Sequence, residues 1–429
     1  MSVRNAVIGL FTALGCAAAY LAWRPADVGQ SRYFADQTYH FQTLRALNDI
    51  AAGGADTSEI LETIRHIRSG DPQGWFAAWD ALGDRVARVA AETRDSSSRG
   101  DALLRAHTYY RTAEFFLPPG DPKRTTASRK NIDAFYDGLR AAGVGFERLT
   151  IAYQGDHHLG AVFYPAPVSD PAKPLIVFVG GFDSTLEELY FMLVAAAARR
   201  NYDVLTYEGP GQGQALREQG LTFTPEWEKP TKAVLDAFLA GHRRPQSIVL
   251  VGMSMGGYLA PRAAAFDERI DGVVAYDVLF DMGEIAHASV PRGAFWLRDH
   301  GLGGLVDALV RVKAQLSPGF AWSIANGMWT LGTASPLATV TELDRYTLAG
   351  VARQIRGDVL ILAGAEDHFV PLSQVAAMEA ELTGARSITK RVFDRASGGA
   401  EHCQLGAATL WHAALFDWLS SHFPTPTPK

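Results

Sequence analysis

The sequence predicts an α/β fold, and three observations carry that prediction. After residue 143, short apolar runs alternate with helical patterns, the rhythm of βαβ crossovers and a mostly parallel sheet. Pro174-Leu-Ile-Val-Phe-Val-Gly180 is apolar at every position between its ends, as a strand covered on both faces must be. A second run, Ser247-Ile-Val-Leu-Val-Gly252, stops abruptly in Gly252-Met-Ser-Met-Gly256, and a helical pattern follows from Tyr258 to Ala265.

That last junction carries chemistry. A serine on a sharp strand-to-helix turn, with glycine two places to either side, has its hydroxyl lifted above the sheet edge. Ser254 is so placed, and the reading is the nucleophile elbow of an α/β-hydrolase core.

Composition narrows the alternatives. With 48% hydrophobic and 20% charged residues in 429, the chain has the make-up of an ordinary globular protein with a large core. A formal net charge of -6 gives no basic footprint, so no nucleic acid is expected as partner. The two cysteines, Cys16 and Cys403, lie too far apart in sequence and setting to read as a structural disulfide. No Cys/His group has zinc spacing, and His157-His158 reads as part of a Gly-bounded turn, so neither metal nor cofactor is expected.

Residues 6–23 carry no charge and are flanked by Arg4 and Arg24. The length fits a signal-peptide core or a short membrane anchor, so residues 1–29 read as a leader. Export or membrane attachment is the expected location, with the cytoplasm as the alternative. From 30 to 142 the pattern is helical. Asp56-Thr-Ser-Glu59 has capping-box spacing ahead of Ile60, Leu61, Ile64 and Ile67. Trp75, Phe76, Trp79, Leu82, Val86 and Val89 form a second stripe, and Leu103 to Phe116 a third. These aromatic stripes read as the core of an all-helical domain that needs the following sheet as its partner.

Residues 143–423 form the predicted hydrolase domain. It opens with an antiparallel pair, Phe146 to Tyr153 and Leu159 to Tyr164, and continues as alternating strands and helices, including a helix from Leu186 to Arg199. Between 281 and 350 the alternation breaks, and a stretch of that length reads as a helical lid over the strand ends. The strands Asp358 to Ala363 and Ile388 to Phe393 then complete the core, and 424–429 is a Pro-rich tail.

A serine hydroxyl needs a base in reach, and the base a carboxylate to orient it; in this fold they follow in the order Ser, Asp, His. Asp367 lies just after a core strand, with Glu366 as competitor. His402 lies in the Gly-rich loop before the last helix; His368 and His412 are its rivals. The oxyanion donors are assigned to the backbone N–H of Met255, after the nucleophile, and of Phe182, in Gly180-Gly-Phe-Asp183. Glu208-Gly-Pro-Gly-Gln-Gly213 lacks the Lys-Ser/Thr of a phosphate loop and reads as a turn at the site's edge.

The pieces Gly180-Gly-Phe-Asp-Ser-Thr-Leu-Glu-Glu188, Tyr207-Glu-Gly-Pro-Gly-Gln-Gly213, Gly252-Met-Ser-Met-Gly-Gly257 and Pro261-Arg-Ala-Ala-Ala265 resemble one group. It is the group of 2,6-dihydroxypseudooxynicotine hydrolase and the Ayg1-type fungal polyketide-shortening hydrolases. The resemblance runs from about residue 31 to the last helix. It implies a helical domain covering the core, a homodimer, and cofactor-free cleavage of esters or of C–C bonds beside ketones. It places the triad on Ser254, Asp367 and His402. Asp183 and Glu188 match acidic positions of the group, as substrate contacts or as helix caps. Trp296 and Trp322 in the lid are further candidates for contact with a small carbonyl substrate, an aromatic ketone suiting C–C cleavage best. Rival readings are an acyltransferase or cyclase on the same serine, a peptidase, and a non-catalytic binding protein.

Overall fold

The computed structural model describes residues 33–424. The leader reading of residues 1–29 and all but the first residue of the tail lie outside it. Among the described residues no helix is long and apolar enough to cross a membrane.

Five helices come first: Gln37–Asn48, Thr57–Ile64, Pro72–Glu92, Ser96–Glu114 and Pro122–Ala141. Each begins at an aspartate, Asp36, Asp56, Asp71, Asp95 or Asp121, whose carboxylate accepts a hydrogen bond from a first-turn N–H. Such caps satisfy donors the helix itself leaves open. Glu59 does not close the expected capping box. Tyr109 Oη accepts from Asp56 N and donates to Glu59 Oε2 at 2.6 Å, so the hydroxyl takes the place Glu59 was expected to fill. The aromatic stripes are core: Tyr39 stacks on Phe116 at 4.0 Å, and Trp75 and Trp79 are fully buried.

The sheet follows, with strands β1 (Glu147–Tyr153), β2 (His157–Tyr164), β3 (Leu175–Val179), β4 (Val204–Tyr207), β5 (Ile248–Met253), β6 (Gly272–Tyr276), β7 (Asp358–Gly364) and β8 (Ser387–Phe393). Their order is β1-β2-β4-β3-β5-β6-β7-β8. β1/β2 and β2/β4 are antiparallel and the remaining pairs parallel. The strand order reverses at β3, with β4 on one side and β5 on the other. Such a switch point opens a crevice at the carboxyl ends of the two diverging strands. The β3 end leads into Gly180-Gly181-Phe182 and the β5 end into Ser254.

Two local readings are corrected. His157 and His158 begin β2 and pair across to Tyr153 and Ala152, because the turn is completed by Gln154 and Gly155, both at positive φ. The helix expected from Leu186 is instead a π-helical turn, Tyr190–Val194, running into Ala195–Ala198. It packs Phe191 on His107 of the helical region, ring centres 5.3 Å apart.

Between β6 and β7 lie five helices, Met282–Ala288, Arg292–Asp299, Gly303–Leu316, Pro318–Leu331 and Pro336–Leu343. The fourth reaches the helical region, where Trp322 stacks on Phe115 at 4.2 Å.

Candidate active site

The β5 strand ends in a turn that few residues tolerate. Ser254 has φ +59°, a left-handed conformation that costs a non-glycine residue about 1–2 kcal/mol. The turn is held because Ser254 N donates to Tyr276 O of β6 and Gly257 N to Ser254 O. A Cβ on Gly252 would overlap the Gly256 carbonyl, which is why the elbow needs glycine there.

The other polar groups arrive from neighbouring strand ends. His402 Nε2 lies 2.8 Å from Ser254 Oγ, and His402 Nδ1 lies 2.6 Å from Asp367 Oδ2. Asp367 is fixed by its own turn, its Oδ1 accepting from Phe369 N at 2.7 Å and Val370 N at 2.9 Å. Glu366 faces away and pairs with Arg395. Of the rival histidines, His368 binds Glu401 Oε1 at 2.6 Å and His412 bonds Met192 O in the core, where burial pulls its pKa down to about 4.

Asp277, directly after β6, escaped the sequence reading. Its Oδ2 accepts from Cys403 N at 2.6 Å and stands 3.6 Å from His402 Nδ1. Cys403 and Gln404 both have positive φ, so Asp277 secures a strained turn that presents the imidazole. Burial, reinforced by the nearby Asp367 charge, pushes the Asp277 carboxyl well above its usual range. Burial opposes ionisation of Asp367 as well, but the His402 imidazole outweighs it and holds that carboxyl below the usual range. Burial likewise works against a charged His402, yet Asp367 prevails and raises its pKa well above that of a free histidine. An acid closing β6 was visible in Gly272-Val-Val-Ala-Tyr-Asp277, though nothing marked it as a neighbour of residue 402.

The amides of Phe182 and Met255 donate no hydrogen bond to another described residue. Gly181 backs so closely on Ser254 that a Cβ there would come within 2.7 Å of the serine Cβ. Gln212 Nε2 donates to both Gly180 O and Gly181 O, each at 2.9 Å. A trans peptide points its C=O and N–H in opposite directions, so holding the Gly181 carbonyl turns the Phe182 N–H away from Gln212. The Glu208–Gly213 turn therefore clamps the loop it was expected only to flank. Two open N–H groups near a serine with a base in reach can stabilise a negative oxygen.

The helical region closes the site. Phe41 packs on His402 with ring centres 6.0 Å apart and on His368 at 4.9 Å. Arg45 pairs with Asp183 and Glu188, each at 2.7 Å, and Arg111 with Glu188 at 2.8 Å. Asp183 and Glu188 thus tie the loop after β3 to two N-terminal helices; Glu188 also accepts from Thr185 N. Arg45 and Arg111 lay unmarked within amphipathic helices. Trp322 and Asp183 line a cleft beside Phe182. Trp296 does not reach it: it is 57% exposed and stacks on His300 at the surface. Among the described residues two side-chain groups are compact enough for a metal ion, Asp277–His402–Cys403 and Asp367–His368–Glu401. Both share members with the Ser254–His402–Asp367 cluster.

An α/β-hydrolase family model matches residues 176–406, more than half of the chain. The chain belongs to the α/β-hydrolase family. A second model, described as FrsA-like esterase, matches residues 43–276. The hydrolase is 32% identical to 20-hydroxy-prefusarin hydrolase FUS2 of Gibberella moniliformis, over 91% of this chain and 98% of the relative. It is 30% identical to hydrolase acrC of Aspergillus aculeatus, with the same two coverages. The crystal structure of 2,6-dihydroxy-pseudo-oxynicotine hydrolase superposes with TM-score 0.68 at 18% identity, covering 89% of this hydrolase and 98% of that chain. The resemblance read from the Gly180–Glu188 and Tyr207–Gly213 motifs is therefore shown, and with it the enzyme class, a hydrolase.

Proposed function

We propose that this hydrolase cleaves an ester, or a C–C bond beside a ketone, by serine catalysis. The observation that carries the reading is the pair of contacts of one imidazole, 2.8 Å to Ser254 Oγ and 2.6 Å to Asp367 Oδ2. His402 takes the Ser254 proton as the oxygen attacks the substrate carbonyl, and Asp367 stabilises the imidazolium formed. The N–H groups of Phe182 and Met255 receive the oxyanion. Collapse expels an alkoxide or an enolate, which leaves with the proton from His402. Water, deprotonated by the same imidazole, then attacks the acyl-serine and releases a carboxylic acid. Phe41 and the helical region cover the imidazole, excluding bulk water from the hydrogen bonds that matter.

The likeness to 20-hydroxy-prefusarin hydrolase supports a hydrolytic reaction, and Phe182 and Trp322 at the cleft support an aromatic substrate. Purified enzyme is offered p-nitrophenyl esters and acyl-phenol ketones, each against Ser254→Ala. Turnover of either series that is lost in the variant is the expected result. Equal turnover by both proteins overturns the reading. We further propose export or membrane attachment through residues 6–23. Intact, soluble, cytoplasmic protein still carrying Met1 overturns that placement.

A further inference from the structure

The cleft beside the oxyanion loop is walled by three parts of the chain. Arg111 comes from the helical region, Thr185 from the loop after β3, and Trp322 and Asn326 from the lid helix Pro318–Leu331. Each carries a buried polar atom with no hydrogen-bond partner among the described residues: Arg111 Nη2, Thr185 Oγ1, Trp322 Nε1 and Asn326 Nδ2. Arg111 Nη2 does sit 2.8 Å from Glu188 Oε2, but out of line for a hydrogen bond. Arg111 is 6% exposed, Asn326 3% and Thr185 9%. Arg111 is ion-paired, but leaving Thr185 Oγ1, Trp322 Nε1 and Asn326 Nδ2 unpaired at one place costs roughly 1–3 kcal/mol apiece. A ligand with acceptors in that cleft would recover it.

The atoms have one chemical sense. Guanidinium, indole and amide NH2 groups only donate, and a threonine hydroxyl can. The charges lean the same way: Arg111, Arg124 and Arg217 line the cleft against Glu114 and Asp183. Glu114 is engaged by Arg217 at 2.7 Å and by Arg124 at 3.2 Å, and Asp183 by Arg45. Size sets the last condition. The interior offers about 30 Å³ of free space, enough for about two waters. The cleft therefore accommodates a terminal group rather than the body of a substrate.

We propose that Arg111, Thr185, Trp322 and Asn326 form a subsite for a carboxylate borne by the substrate. The inference rests on the hydrolase reading above and adds the class of substrate: an acyl compound with an acidic terminus. It also gives the helical region a part in recognition, since the guanidinium comes from there.

Binding is measured apart from turnover. Calorimetry on Ser254→Ala protein compares monomethyl esters of four- to eight-carbon dicarboxylic acids with the corresponding dimethyl esters. The best monoester is expected to bind at least tenfold tighter than its neutral partner. Asn326→Asp, which keeps the shape and reverses the character of one donor, is expected to remove that preference; Trp322→Phe is expected to lessen it. Thermal unfolding midpoints close to that of the parent protein are expected for both variants, so that a lost preference reports on the subsite and not on the fold. Dimethyl esters binding as tightly as every monoester overturns the subsite while leaving the hydrolase reading intact. A preference unchanged in Asn326→Asp also overturns it. Loss of p-nitrophenyl acetate turnover in Ser254→Ala with the binding preference retained is the expected pattern. Turnover unaffected by Ser254→Ala would instead sink the hydrolase reading alone.

Discussion

Ser254 stands between two flanks built on opposite plans. Toward β6, β7 and β8 the titratable groups around the imidazole are paired: His402 with Asp367, Asp277 with Cys403 N, His368 with Glu401. Toward β3 and the lid, Phe182 and Met255 hold open amides, and Thr185 Oγ1, Trp322 Nε1 and Asn326 Nδ2 are buried without hydrogen-bond partners among the described residues. A proton relay works when its geometry is complete before substrate arrives. A binding surface works when its donors are left for the substrate to satisfy. The same buried setting that strengthens a finished network makes an unfinished one costly, so the two flanks should respond differently to mutation.

The largest effects are expected on the relay flank. Asp367→Asn should lower kcat by roughly 10⁴-fold with KM little changed, because the wrong imidazole tautomer is then favoured. Glu366→Gln, altering a surface pair with Arg395, should leave steady-state kinetics as they were. Equal losses from the two variants would break the assignment of the acid.

Next comes the clamp between the flanks. Gln212→Ala releases the Gly180 and Gly181 carbonyls and should lower kcat by about 10- to 100-fold, short of the 10²–10³ for losing an oxyanion donor outright. The effect should appear in kcat and not in KM. An unchanged kcat would mean that the loop holds its shape without the glutamine.

The pH profile sharpens the contrast further. Asp367 raises the His402 pKa, and only the neutral imidazole can accept the Ser254 proton. Activity should therefore fall as pH drops, with the acid limb of kcat/KM above the free-histidine value of about 6.5. A limb below that value would show burial, not Asp367, in control. Asp277→Asn, which keeps an acceptor for Cys403 N at the same place, should cost less than about tenfold in kcat. Trp296→Ala, at the surface, should change nothing measurable.

The contrast also explains what could be read in the chain. The proposed relay residues sit at strand ends, and strands announce themselves by apolar runs. Ser254 after β5 and Asp367 after β7 were legible for that reason, and His402 from the glycines around it. Asp277 obeys the same rule, but its role depends on a strained turn at Cys403 and Gln404 that no local pattern reveals. The proposed recognition residues depend on three distant segments meeting. Arg111 follows two tyrosines in its helix, and Asn326 sits in an apolar lid helix. Nothing in their own neighbourhoods marks them. Trp296 and Trp322 looked alike in sequence, yet one stacks on His300 at the surface and the other reaches the cleft. Which side of a lid helix faces inward is decided by packing against the rest of the fold.

The most direct test of the catalytic reading is the mass of the protein after exposure to a fluorophosphonate. A single adduct mapping to Ser254 in the folded enzyme, with labelling strongly slowed in His402→Ala, is the predicted result. No adduct at Ser254, or labelling at the same rate without the imidazole, would contradict it.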